Sequence, residues 1–217
     1  MFDVGAAVEE LRRTGEHLPA ARLHLLTGGV ISSRVPGADL IVIKPPGAPI
    51  DRTLADSVVV TDLSGKVLDG VFAPSSGGDA HAVVYRELPA VRSIVNTRST
   101  LSLAWAARGE PIPHLPTVTD EFGGPIPVGP VVSSRGDVLG RGIVDTVRTT
   151  GARAVQMPGH GPFTIGQTAS EAIRVALLLE QLTRKLHIAR HLGTAEPLDP
   201  HDTDWLTTRD RRTDAGS

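Results

Sequence analysis

The sequence predicts one α/β domain with helices layered on both faces of a sheet. Short apolar runs bounded by turn residues come first, at Ile31 to Arg34, Leu40 to Ile43 and Val58 to Thr61. Helical and strand-like segments then alternate, and one long helical pattern ends the fold. At 217 residues the chain has the length of a single domain with room for a proper core.

Each element has a local reason. Val4, Val8 and Leu11 recur at helical spacing and Gly15 follows, which predicts a first helix over residues 3–14. After the three strands, Asp62-Leu63-Ser64-Gly65-Lys66-Val67 reads as a hairpin turn into a fourth. Asp79 to Leu88 suits a helix stopped by Pro89, Ile94 and Val95 a short buried strand, and Thr100 to Ala107 a helix ended by Gly109. Pro and Gly crowd residues 109–130, which predicts an irregular loop region. Leu139, Ile143, Val144 and Val147 mark a helix and Ala154 to Met157 a strand. Thr168-Ala169-Ser170-Glu171 has the form of a capping box, opening a helix to His191 with Gly193 as its stop. The domain is expected over residues 1–196, followed by a polar tail from Pro197 to Ser217 whose end is expected to be disordered.

Composition narrows the function. A net charge of −2 gives no electrostatic case for nucleic acid or an anionic membrane. With 3% aromatic residues, stacking platforms for bases are not expected. The absence of cysteine removes disulfides, thiolate zinc sites and thiol nucleophiles together. Neither a signal peptide nor a membrane helix is legible, so a cytoplasmic protein acting on a small molecule is expected.

Five segments carry more specific information: Thr27-Gly28-Gly29-Val30-Ile31-Ser32-Ser33-Arg34, Ile43-Lys44-Pro45-Pro46-Gly47, Ala73-Pro74-Ser75-Ser76-Gly77-Gly78-Asp79-Ala80-His81, Ile94-Val95-Asn96-Thr97-Arg98-Ser99, and Pro158-Gly159-His160-Gly161-Pro162-Phe163-Thr164-Ile165-Gly166. Together they resemble the class II sugar-phosphate aldolase and adducin superfamily, and within it the sugar-phosphate epimerases and aldolases. The resemblance spans roughly residues 7–193. It implies a three-layer α/β/α fold with a mainly antiparallel central sheet, and a homotetramer with its clefts between subunits, where the Trp205 and Arg209 region can reach a neighbouring site.

The resemblance also implies a divalent-metal site, and here the chain departs from the pattern. The family's acidic ligand falls on Gly77 and its His-x-His pair on Asn96 and Arg98, leaving only His160. Zinc sites take three or four protein ligands, so neither a metal nor any other cofactor is expected. A shifted site from Asp79, His81 and His160 is the alternative. For the anion of a substrate the resemblance offers Gly28, Gly29, Lys44, Gly47, Ser75 and Ser76, but Val30 replaces an Asn and Pro46 a Ser or Thr, which weakens a phosphate pocket.

Asn96 and Arg98 alternate along a strand and so should face one side together. Arg98 places a fixed cation with a planar fork of donors where the metal stood. Asp120 aligns with an acid/base Asp of the epimerases, and His160 can titrate near neutral pH. Asp120, Arg98, His160 and Asn96 are therefore the candidate catalytic residues. The epimerases' Tyr near the C-terminus has no counterpart, since Tyr85 is the sole tyrosine. The leading expectation is a metal-independent lyase or isomerase passing through an enolate-like intermediate. A non-catalytic adducin-like module and a metal enzyme with displaced ligands remain open.

Overall fold

The computed structural model describes residues 3–21, 23, 28–48, 57–73, 77–113, 115, 120–133 and 137–193. Its elements in chain order are α1 (Val4–Gly15), α2 (His17–Ala20), β1 (Val30–Arg34), β2 (Leu40–Ile43), β3 (Val59–Asp62), β4 (Val67–Asp69) and α3 (Gly78–Glu87). There follow β5 (Ser93–Asn96), α4 (Thr100–Arg108), a 3-10 turn (Asp120–Phe122), α5 (Val138–Thr150), β6 (Ala154–Met157), β7 (Gly161–Gly166) and α6 (Ala169–His191).

The strands form one sheet in the order β4-β3-β2-β1-β5-β7-β6, and every neighbouring pair runs antiparallel. Alternation of side chains sends successive apolar residues to opposite faces. Val30, Ile41, Ile43, Val59 and Ile94 meet α3 and α5 through Ala80, Val83, Val84, Leu139, Ile143 and Val144. Ile31, Val42, Val60 and Val95 meet α1 and α6 through Ala7, Leu11, Ala172, Ile173 and Ala176. A third cluster joins α4 to the far side of α6 through Trp105, Val175, Leu179 and Leu182, with Phe122, Ile112 and Ile126 from the intervening loop. The predicted three layers and mainly antiparallel sheet are thus what the chain builds.

Local chemistry sets the boundaries. Asp3 caps α1 by accepting the Ala6 N–H at 2.8 Å. The β3–β4 turn is organised by Asp62, whose Oδ1 accepts the N–H groups of Ser64 at 2.8 Å and Lys66 at 3.0 Å. Gly109 and Gly151 end α4 and α5 in the left-handed region, φ 66° and 69°. At α6 the Thr168 hydroxyl accepts the Glu171 N–H at 3.1 Å, but the Glu171 carboxylate takes the Gln167 N–H at 2.7 Å, one residue before the cap.

Three expectations need correction. Gly15 lies inside α1, and α2 follows it at once. The segment from Gly161 to Gly166, for which no secondary structure was expected, is a fully buried strand, because pairing on both sides outweighs its Gly and Pro content. Residues 109–130 are not wholly irregular: Ile112 and Ile126 form a bridge, and Val128 runs parallel to Gln156. The polar tail, with Trp205 and Arg209, lies outside the described residues. Among the described residues no helix is long and apolar enough to cross a membrane.

Candidate active site

Strand register brings most of the candidate residues to one end of the sheet. Val30 opens β1 opposite Asn96, the last residue of β5. The Lys44 N–H donates to the Ile31 carbonyl at 3.0 Å, so the turn through Gly47 follows at the same end as Gly28 and Gly29. Asn96 also lies opposite Phe163, near the start of β7, and Met157 pairs with Gly161, which places the His160 turn beside it. A Cβ built on Gly77 would lie 3.5 Å from Val30 Cγ2, so α3 also begins here. Ser75 and Ser76 lie outside the described residues.

The β6–β7 turn sits tightly on the end of β5. Gly161 has φ 89°, and a Cβ there would be 3.2 Å from both the Thr97 carbonyl oxygen and Leu103 Cδ1. Arg98 and His160 are each the residue next to this backbone contact, and are therefore neighbours. The His160 ring is half-buried, and its Nε2 lies 2.8 Å from the Val132 carbonyl. A carbonyl only accepts, so Nε2 carries the proton and Nδ1 holds a lone pair. Nδ1 has no partner among the described residues.

Arg98 is exposed between buried Thr97 and Ser99. Its backbone N–H donates to the Leu23 carbonyl at 3.2 Å, while its guanidinium makes no hydrogen bond or ion pair among the described residues. Asn96 behaves otherwise. It is 5% exposed, and its amide nitrogen donates to the carbonyls of His160 at 3.2 Å and Pro162 at 2.9 Å. The expected pair therefore divides, one side chain bracing the turn and the other reaching solvent.

Lys44, expected to offer charge to an anion, is turned inward at 1% exposure. Its ammonium donates to the Pro45 and Ala48 carbonyls at 3.2 and 2.8 Å. Desolvation lowers its pKa to about 8. Gly29 and Gly47 have φ 85° and 76°, so their turns require glycine whether or not a ligand approaches.

The donor set does not fit a zinc ion. Gly77 has no side chain, the Asn96 amide is committed to two carbonyls and Arg98 is a cation, so of these four positions only His160, through Nδ1, offers a ligand atom. Among the described residues no group of three His, Asp or Glu is placed to hold a metal. The shifted site fails on helix geometry: Asp79 and His81 lie two residues apart on α3, about 200° around the axis. His81 is fully buried, with Nδ1 2.7 Å from the Ser32 hydroxyl, which in turn lies 2.8 Å from the Tyr85 hydroxyl. Burial drops the His81 pKa to about 3 and raises that of Tyr85 well above its usual value.

Asp120 does not join this cluster within one chain. Its 3-10 turn is fastened to the start of β6, where the Arg153 N–H donates to the Phe122 carbonyl at 3.0 Å. The His160 turn is at the other end of β6, roughly 13 Å along the strand at 3.3 Å per residue. Glu121 pairs with Arg174 on α6 at this lower end. Conversely, two contributors had no signal in the sequence. The Val132 carbonyl is a backbone group, and Glu180, which accepts the Ser102 N–H at 3.1 Å and hydroxyl at 2.8 Å, caps α4 from α6 across 78 positions.

A fold of this topology, with its loops gathered at one sheet end, defines a class that sequence and structure comparisons identify directly. Residues 9–187 match the model of the Class II Aldolase and Adducin N-terminal domain, and the chain belongs to that family. It is 34% identical over 203 residues to L-ribulose-5-phosphate 4-epimerase UlaF of Salmonella paratyphi B (strain ATCC BAA-1250 / SPB7), covering 88% of this chain and 87% of that protein. In fold it is similar to an L-fuculose 1-phosphate aldolase, with a TM-score of 0.80 at 21% identity over 97% of this chain and 98% of the other. The L-fuculose-1-phosphate aldolase of Thermus thermophilus gives 0.72 at 22% identity, covering 89% and 98%.

Proposed function

We propose that the chain is a lyase or isomerase acting on a small carbonyl or carboxylate compound through an enolate-like intermediate, with Arg98 in the place of a metal ion. The observation that carries this reading is the exposed Arg98, whose guanidinium has no partner among the described residues, at the same sheet end as a histidine whose Nδ1 makes no hydrogen bond there. The 34% identity to an L-ribulose-5-phosphate 4-epimerase supports catalysis and makes hydroxyketone phosphates the first compounds to test.

The proton and the electron pairs balance without an added reagent. His160 Nδ1 removes the proton on the carbon next to the substrate carbonyl. The C–H electron pair forms the C=C bond, and the carbonyl π pair moves to oxygen, where Arg98 donates hydrogen bonds to the oxyanion. Protonation of the opposite face by solvent, with His160 releasing its proton to solvent, inverts the centre. In the lyase version the base takes the proton of a β-hydroxyl instead, and the C–C pair becomes the enolate. Asp120 would contribute only from a neighbouring copy, so this reading takes the active form to be a homo-oligomer.

Solvent exchange tests this directly. Substrate panels of hydroxyketone phosphates and 2-oxo or 3-oxo carboxylates are incubated in D2O and followed by NMR. Deuterium incorporation that is lost in Arg98→Met and His160→Gln, and is unaffected by chelator, is expected. Exchange that depends on added zinc sinks the metal-independent reading, and tight binding without exchange favours a non-catalytic module.

A further inference from the structure

We propose that Asn96 is a positioning residue: its amide pins the turn carrying His160 and thereby fixes which imidazole nitrogen holds the proton. The functional weight of this rests on the reading of His160 as the base, but the structural claim stands or falls separately.

The β5–β7 ladder runs from Ser93 opposite Gly166 to Asn96 opposite Phe163 and stops there. Beyond it, residues 160–162 are held on one side by β6, where Gly161 pairs with Met157 and Pro162 with Gln156. On the other side β5 has no further backbone rung, and the Asn96 side chain supplies two hydrogen bonds in its place, to the carbonyls of His160 and Pro162. Both partners only accept, so the orientation of the amide is dictated and its NH2 is fully used. A hydroxyl or a carboxylate at this position cannot supply both donors.

These two carbonyls lie on either side of Gly161, and the first immediately follows the His160 Cα. The His160 N–H is fastened to the Met157 carbonyl at 3.0 Å, so the backbone of the residue is held on both sides. Its ring then has one further polar contact, Nε2 to Val132 O at 2.8 Å. A hydrogen bond at that length is lost with a shift of the turn by about 0.8 Å. A Cβ at Gly161 would stand 3.2 Å from Thr97 O, so the turn lies close against the chain that leaves β5. Asn96 thus acts through the turn on the tautomer, and the tautomer determines which nitrogen is left as a base.

The test is the tautomeric state of His160 in protein carrying 15N,13C-histidine, with the resonances assigned by His160→Gln and read well above the pH at which the ring protonates. In the unmodified chain the Nε2-protonated form is expected to dominate, and a predominantly Nδ1-protonated or evenly averaged ring overturns the proposal before any variant is made. In Asn96→Asp, which removes the donors, the ratio of tautomers should fall about fivefold, the worth of one ordinary hydrogen bond. Asn96→Ser, uncharged and with a single donor, carries the same readout if the Asp variant fails to fold. A variant that loses thermal stability but keeps the His160 tautomer unchanged shows that Asn96 only holds the fold, and the proposal is wrong. The spectra do not depend on turnover: persistence of activity in His160→Gln would remove the base reading while leaving the tautomer result intact.

Discussion

Gly140 is where the helices above the site come into closest contact, and adding one methyl group there has a calculable result. A Cβ on Gly140 would stand 2.5 Å from Val83 Cβ, 2.8 Å from the Ala80 carbonyl oxygen and 3.0 Å from Val83 Cγ1. Carbon atoms rest at about 3.5 to 4.0 Å, so α5 must move from α3 by something near 1 Å or the backbone must distort. Overpacking of this kind costs about 1 to 3 kcal/mol even though alanine regains up to ~1 kcal/mol of helix propensity. For a chain of this size that lowers the midpoint of thermal unfolding by roughly 2 to 12 °C. The internal control is Gly5→Ala in α1, where the added carbon meets only Asp3 Oδ1 at 3.5 Å. That change should be neutral or stabilising by up to ~1 kcal/mol. Urea and thermal unfolding of both variants against the parent provide the measurement. A Gly140→Ala protein as stable as Gly5→Ala would show that the α3–α5 contact is looser than these distances state.

Further tests address charge, metal and assembly. Arg98→Met should cost on the order of 2 to 4 kcal/mol in transition-state free energy and Arg98→Lys only part of it; unchanged turnover in Arg98→Met would mean that the guanidinium takes no part. Elemental analysis of the purified protein should find no stoichiometric zinc or manganese, and one tightly held metal per chain would overturn the donor argument. Because burial depresses the folded-state pKa of His81 to about 3 against an ordinary 6.5, the unfolded chain binds the extra proton between those values. His81 therefore adds stability that is full above pH ~6.5 and declines as pH falls toward 3, by up to ~1.4 kcal/mol per pH unit. His81→Gln should flatten the dependence of the urea midpoint on pH between ~6 and ~4, and an unchanged slope would refute this. Light scattering at micromolar concentration should return a tetramer; a monomer would leave Asp120 with no route to the site.

What could be read from the sequence follows the range over which the physics acts. The helices α4 and α6 were legible because caps and stops lie within or next to the segment itself, as with the left-handed stop at Gly109 and the cap at Thr168. β7 was not, because Gly161, Pro162 and Gly166 weaken its intrinsic preference and only pairing with β5 and β6 makes it a strand. The site was legible as a set of segments, since Gly28, Gly47, Asn96 and His160 do converge on one sheet end. Its internal division of labour was not. Whether a buried lysine faces a ligand or clips its own loop, as Lys44 does, depends on carbonyls whose positions no side-chain pattern records. Asp120 shows the same limit, because alignment with an acid/base residue says nothing of which end of β6 holds it.

Asn96 and Arg98 show why a lost ligand pair is more than two absences. Strand alternation would aim the two side chains to one side, but β5 ends at Asn96 and Arg98 lies beyond it, so each answers to a different neighbour. The shorter residue reaches the carbonyls past the end of the β5–β7 ladder and takes over the bonding that a rung would have supplied. The longer one extends beyond the buried Thr97 and Ser99 into solvent, where its charge can meet an anion. Restoring histidine at position 98 alone would leave Gly77 without a donor and the Asn96 amide still occupied, and histidine at position 96 would remove the brace beneath His160. The arrangement is therefore self-consistent: Asn96 secures the turn that carries His160, and Arg98 leaves an exposed cation at the same end of the sheet.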